Sequence, residues 1–162
     1  AKRVALPFVD SDHELEQRTG VSVATIFEIE GEAAFRAREA AMIEELTQRD
    51  GIILGTGGGA VLDANSRRAL HARGTSIYLH SSPETSYERV RRKRDRPLLM
   101  VTDPLARLRQ LYELRHPLYT ETAHYIVESY RDRPNAVVGE ILNLLGTIGS
   151  PHSLHVADQS AE

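Results

Sequence analysis

The sequence predicts an α/β domain, a parallel sheet covered by helices on both faces. Three observations carry that prediction. The apolar run "IIL" (52–54) is too short and too apolar for a half-exposed strand and reads as a buried parallel one. Comparable short runs alternate with longer helical segments along the whole chain. Reactive residue types gather where strands end: acids after the first and glycines after the second, which is the edge where open parallel sheets bind ligands.

Taken in order, "PFVDSD" (7–12) reads as a short buried strand ending in acids, and residues 13–30 as helical in one or two pieces with a break near Gly20. The clearest helix is 31–50, with Phe35, Met42, Ile43 and Leu46 near one face and only Glu39 interrupting the apolar stripe. Gly51 stands where a helix C-cap glycine belongs. After strand 52–54 come the loop "GTGGG" and a short helix near Asn65–His71 that Gly74 ends. "SIYLH" (76–80) is a third strand. Ser82-Pro83 starts a helix to about Arg92, and Asp103-Pro104 one to about Arg115 that Pro117 breaks. "YIVES" (125–129) is a fourth strand and Asn135–Leu145 a final amphipathic helix. One domain is expected over 1–146, with the turn-rich tail 147–162 disordered.

The 162 residues carry a net charge of −3, so no global basic field invites nucleic acid. There is no cysteine, which excludes disulfides and cysteine nucleophiles and suits a reducing cytoplasm. No apolar run approaches the ~18–20 residues a membrane span needs. The seven histidines show no metal-binding spacing; His13, His71 and His116 read as structural, and His152 and His155 as part of the tail.

Several constellations admit more than one reading. Gly57, Gly58 and Gly59 end a strand, and such a turn either exposes backbone N–H groups to a ligand or is simply tight. Asp10 and Asp12, two apart in an extended segment, face the same side. They could hold a metal or pair a metal ligand with a proton acceptor, unless Asp12 only caps the following helix. "RVRRKRDRP" (89–97) is a solvated helix face, a nucleic-acid patch or a phosphate clamp. Arg96, beside a Pro-Leu-Leu loop, is its best clamp candidate. Arg36 and Arg115 are either plain surface residues or part of a site.

The stretches "FVDSD", "EQRTG", "IFEIEGEAAFRARE", "GIILGTGGGAV", "RDRPLL" and "RHPLY", in this order, resemble the shikimate kinase family over roughly residues 1–145. The resemblance implies a P-loop kinase fold with strand order 2-3-1-4-5. It implies transfer of the γ-phosphoryl of ATP to the 3-hydroxyl of shikimate, on the way to chorismate and the aromatic amino acids. By motif match, Asp12 would meet the reacting hydroxyl and Asp10 would hold Mg2+ through water. Arg36 and Arg115 would clamp the shikimate carboxylate, and the Gly57–Gly59 backbone would close on the substrate. Arg96 would reach the transferring phosphate from a lid, and Arg89 would lie against the adenine. The resemblance also implies a monomer, while the net charge and the lack of a long apolar run point to no nucleic-acid and no membrane partner.

The family's G-x-x-x-x-G-K-[ST] phosphate loop does not occur in these 162 residues. "AKRVALPFVDSD" reads as the last turn of a first helix running into the family's second strand, so the first strand and that loop are expected to lie outside this sequence. A kinase-derived protein that binds without catalysis, a gluconate kinase-like enzyme, and a strand supplied by another chain are the remaining alternatives.

Overall fold

A computed structural model describes residues 1–90, 103–129, 133–148 and 154–158. Its elements are β1 (Phe8–Asp10), α1 (Ser11–Thr19), α2 (Val23–Leu46), β2 (Ile53–Thr56), α3 (Ala64–Ala72), β3 (Thr75–His80), α4 (Pro83–Val90), α5 (Pro104–Thr122), β4 (Tyr125–Glu128), α6 (Pro134–Ile148) and β5 (Leu154–Asp158). The five strands form one sheet in the order β1-β2-β5-β3-β4, with every pairing parallel.

The reading of "IIL" as doubly buried holds. Ile52 and Leu54 point to one face, where they meet Leu15, Phe35, Met42, Ile43, Leu46 and Leu70. Ile53 points to the other, among Ile77, Val127, Val137 and Leu145. A strand with helices on both sides has no polar face to show, so its alternation disappears from the sequence.

The tail corrects an expectation. Helix α6 continues to Ile148, and residues 154–158 are not disordered but supply β5, in the middle of the sheet. Leu54 faces His155 in register on one side, and Ile77 faces Val156 on the other. The central slot between β2 and β3 would otherwise expose two rows of backbone polar groups, and the backbone of this five-residue segment, parallel to both neighbours, satisfies both rows. His155 is therefore a core residue, 2% exposed, whose ring nitrogen Nδ1 lies 2.9 Å from the Leu70 carbonyl. Burial pushes its pKa down.

Two helix limits also differ from expectation. Pro117 lies inside α5, which runs on to Thr122. A proline there removes one helical hydrogen bond at a cost of about 3 kcal/mol. The turns around it bury Arg115, Tyr119 and Thr122 on one face, which holds the helix together across the gap. Helix α2 ends at Leu46, and the Thr47 hydroxyl donates back to the Ile43 carbonyl at 2.8 Å; Gly51 comes later. The break near Gly20 is real: it is the left-handed C-cap of α1, with φ 73°. Gly31, with φ 82°, divides α2 into two helical pieces.

Candidate active site

The glycine loop leaves β2 at Thr56 and enters a 3-10 turn over Ala60–Leu62. Its backbone does not require glycine for conformational reasons. Gly59 has φ −87° and ψ −15°, which any residue adopts. The requirement is space. A Cβ on Gly59 would sit 1.9 Å from Arg36 Nη1, and one on Gly57 would sit 3.1 Å from Asp12 Oδ2 and 3.4 Å from Glu39 Oε1. The loop is bare because a cation and two carboxylates press against it.

Arg36 and Glu39 come from the second piece of α2, three residues apart and so on one face. Arg36 Nη1 donates to Glu39 Oε2 at 2.8 Å and Nη2 to Glu32 Oε1 at 3.4 Å. The guanidinium carbon lies 5.1 Å from the Phe35 ring centre and 5.9 Å from that of Phe27, so the fork is held by charge on one side and by aromatic faces on another. Glu39 is only 4% exposed, and a carboxylate that deep is tolerated when a cation faces it. Sequence reasoning saw Glu39 only as an interruption. The signal was present: a charged residue on a buried stripe, three positions after an arginine.

Asp10 and Asp12 are not side by side on an extended segment. Asp10 is the N-cap of α1, its Oδ1 accepting from the backbone N–H of Asp12 at 3.0 Å and of His13 at 3.1 Å. The cap is thus Asp10, not Asp12. Asp12 sits in the first helical turn, where the N-terminal end of the helix dipole favours a carboxylate, and its carboxylate borders Gly57.

Helix α5 reaches the loop from a different direction. Arg115 is 6% exposed, so it is no plain surface residue, and Tyr119 follows one turn later on the same face. The Tyr119 hydroxyl donates to the Gly58 carbonyl at 2.6 Å. Its ring stacks on Tyr78, with centres 4.7 Å apart and planes 16° from parallel.

Asp12, Arg36 and the Gly57–Gly59 backbone thus meet in one place, and α5 is tied to that place through Tyr119. Arg89 stands apart: on α4, it donates through Nη2 to the Ser129 carbonyl beyond β4. Arg96 lies outside the described residues. Two of the histidines read as structural make packing contacts: His71 stacks on His124 with ring centres 4.2 Å apart, and His116 Nδ1 lies 3.2 Å from the Tyr78 hydroxyl; His13 is exposed on α1, beside Gln17. Burial, with His80 nearby, pushes the His116 pKa down.

A parallel α/β domain that offers a carboxylate, a stacked guanidinium and stripped backbone at its strand ends has the build of a small-molecule kinase of the P-loop type. The shikimate kinase family model matches residues 1–146. A shikimate kinase of Burkholderia pseudomallei (strain 1710b) is 50% identical over 149 residues, covering 92% of this chain and 81% of that protein. One of Dechloromonas aromatica is 53% identical over 128 residues, covering 79% and 70%. The solved structure of shikimate kinase from Acinetobacter baumannii in complex with shikimate superposes with a TM-score of 0.86 at 41% identity, covering 91% of this chain and 83% of that one. That from Aquifex aeolicus gives 0.76 at 28% identity, with 91% and 86% covered. The chain belongs to the shikimate kinase family.

Proposed function

We propose that this domain transfers the γ-phosphoryl group of ATP to the 3-hydroxyl of shikimate, giving shikimate 3-phosphate. The observation that carries the reading is the convergence of Asp12, Arg36 and Glu39 on the Gly57 and Gly59 backbone. A small hydroxylated ring bearing one carboxylate fits such a place. It can lie against backbone with no Cβ in the way, and its carboxylate can take the two parallel hydrogen bonds of a guanidinium.

Asp12 accepts the proton of the 3-hydroxyl as its oxygen attacks the γ-phosphorus. The bond from that phosphorus to the bridging oxygen breaks, and ADP leaves with the electron pair. Arg36 and Arg115 hold the substrate carboxylate, and Glu39 holds Arg36 in position. Arg96 supplies positive charge to the transferring phosphoryl, and Arg89 borders the adenine, where its bond to the Ser129 carbonyl ties α4 to the chain after β4.

Among the described residues no cluster of three acids or histidines could cage a metal. That suits Mg2+, which takes one or two protein carboxylates and completes its shell with water and phosphate oxygens. Asp10 would hold it through water, and its contribution would be to neutralise phosphate charge. We place the domain in the cytoplasm as a monomer. The family resemblance supports the monomer, and a cysteine-free chain suits a reducing compartment.

The test is a calorimetric titration of shikimate into the 162-residue chain, followed by assay of the full-length protein for shikimate-dependent ADP release with Mg2+. Saturable binding and then turnover are expected. A cooperatively folded chain that ignores shikimate would overturn the reading.

A further inference from the structure

Tyr119 has no place in the roles proposed above, yet it is 1% exposed and makes a well-defined polar contact with the loop, to the Gly58 carbonyl at 2.6 Å. Gly58 is buried. Its peptide carries the loop's middle carbonyl, and the orientation of that carbonyl decides where the adjoining N–H groups point, because each peptide unit is planar. A loop with no Cβ at three successive positions has little of its own to resist peptide rotation.

We infer that Tyr119 is a positioning residue for substrate recognition: its hydroxyl fixes the Gly58 peptide so that the Gly57–Gly59 backbone meets the substrate in one orientation. The inference rests on the reading that this loop faces shikimate. Two features make Tyr119 suited to the task. Its ring is clamped by Tyr78 from β3, stacked at 4.7 Å, so the hydroxyl has little freedom. It also follows Arg115 by four residues on α5, so the arginine proposed for the carboxylate and the tyrosine that sets the ring-facing backbone share one helical face. The helix then fixes the spacing between the two ends of the substrate.

Tyr119→Phe removes the hydroxyl and keeps the ring. Tyr78→Phe is its control. It takes a hydroxyl from the same stack, where the Tyr78 oxygen lies 3.2 Å from His116 Nδ1, and touches nothing in the loop through that oxygen. Shikimate affinity is measured by calorimetry in the full chain and both variants, well below each melting midpoint. Tyr119→Phe should weaken shikimate about tenfold, near the upper end of one net hydrogen bond. Tyr78→Phe should stay within about twofold of the parent while losing comparable thermal stability. Equal affinity in Tyr119→Phe and the parent, or equal losses in both variants, would overturn the inference and reduce Tyr119 to a packing residue. A parent chain that folds but does not bind shikimate would overturn the substrate reading, and this inference with it.

Discussion

Replacing Gly59 by alanine separates two explanations for the glycine loop. The backbone there, at φ −87° and ψ −15°, accepts alanine without strain, and on conformational grounds alone the change should be slightly stabilising. The structure demands the opposite. The new Cβ would lie 1.9 Å from Arg36 Nη1, 2.4 Å from Cζ and 2.6 Å from Nη2, where ordinary contact begins at 3.4 Å. The guanidinium must retreat by more than an ångström, which ends its 2.8 Å bond to Glu39 and leaves that carboxylate in a site only 4% exposed. Removing one partner of a buried pair costs about 3–5 kcal/mol. Arg36 is 18% exposed and can keep Glu32, so the expected loss is smaller, about 2 kcal/mol. Urea unfolding should show a lower midpoint with an unchanged slope, and shikimate affinity should fall with the displaced arginine. In an Arg36→Ala background the same glycine change should cost less than about 0.5 kcal/mol, because the clash is gone. A stable Gly59→Ala protein with normal shikimate affinity, or identical losses in both backgrounds, would refute the steric account.

Other outcomes follow from the same geometry. Asp12→Asn should leave the melting midpoint nearly unchanged and lower turnover by about 10²–10⁴-fold, the usual worth of a positioned proton acceptor; loss of the fold instead would make Asp12 structural. Arg115→Ala should weaken shikimate by about 10–100-fold, as expected for a hydrogen bond to a charged group, with nucleotide affinity unchanged, and calorimetry with each ligand reads both. Stability should fall on mild acidification. Burial holds the His155 pKa below its ordinary value, so the unfolded chain takes up the proton first as pH drops through about 6.5. The contribution of the neutral ring is complete above that pH and declines beneath it, by at most about 1.4 kcal/mol per pH unit. Melting curves from pH 7.5 to 5.5 check this, and a midpoint that rises toward pH 5.5 would contradict the buried neutral imidazole.

What could be read from the sequence follows from how many residues share each signal. The strand "IIL" and the stripe of Phe35, Met42, Ile43 and Leu46 are runs in which every residue carries the same message, and both are core in the structure. The demand for bare backbone at 57–59 was legible; its cause was not, because Arg36 and Glu39 lie some twenty residues away in sequence and their approach is a tertiary fact. The tail failed for the opposite reason. "LHVAD" is five residues long, its polar neighbours resemble linker, and His155 reads as a surface residue until the Leu70 carbonyl beside it is known. Pro117 is a strong local stop signal that the packing of Arg115 and Tyr119 outweighs.

The position of β5 also divides the domain into two problems. Asp12 comes from the β1–α1 junction, Arg36 and Glu39 from α2, the glycines from the end of β2, and Arg115 and Tyr119 from α5. None of them lies on β5, and the glycine loop is pinned by α2 on one side and by α5 on the other. The substrate half therefore depends on the central strand only through the sheet that strand completes. Any parallel strand that pairs with both β2 and β3 would hold those elements at the same spacing, since a parallel ladder is made by backbone groups and is largely indifferent to side chains. The phosphate half is different in kind. In a P-loop kinase the loop that wraps the phosphates follows directly from a strand into a helix, and its chemistry lies in the residues of that loop. Shikimate affinity should consequently respond to Arg36, Arg115 and the glycine loop, while phosphoryl transfer should respond in addition to Asp12 and to the residues of a phosphate loop.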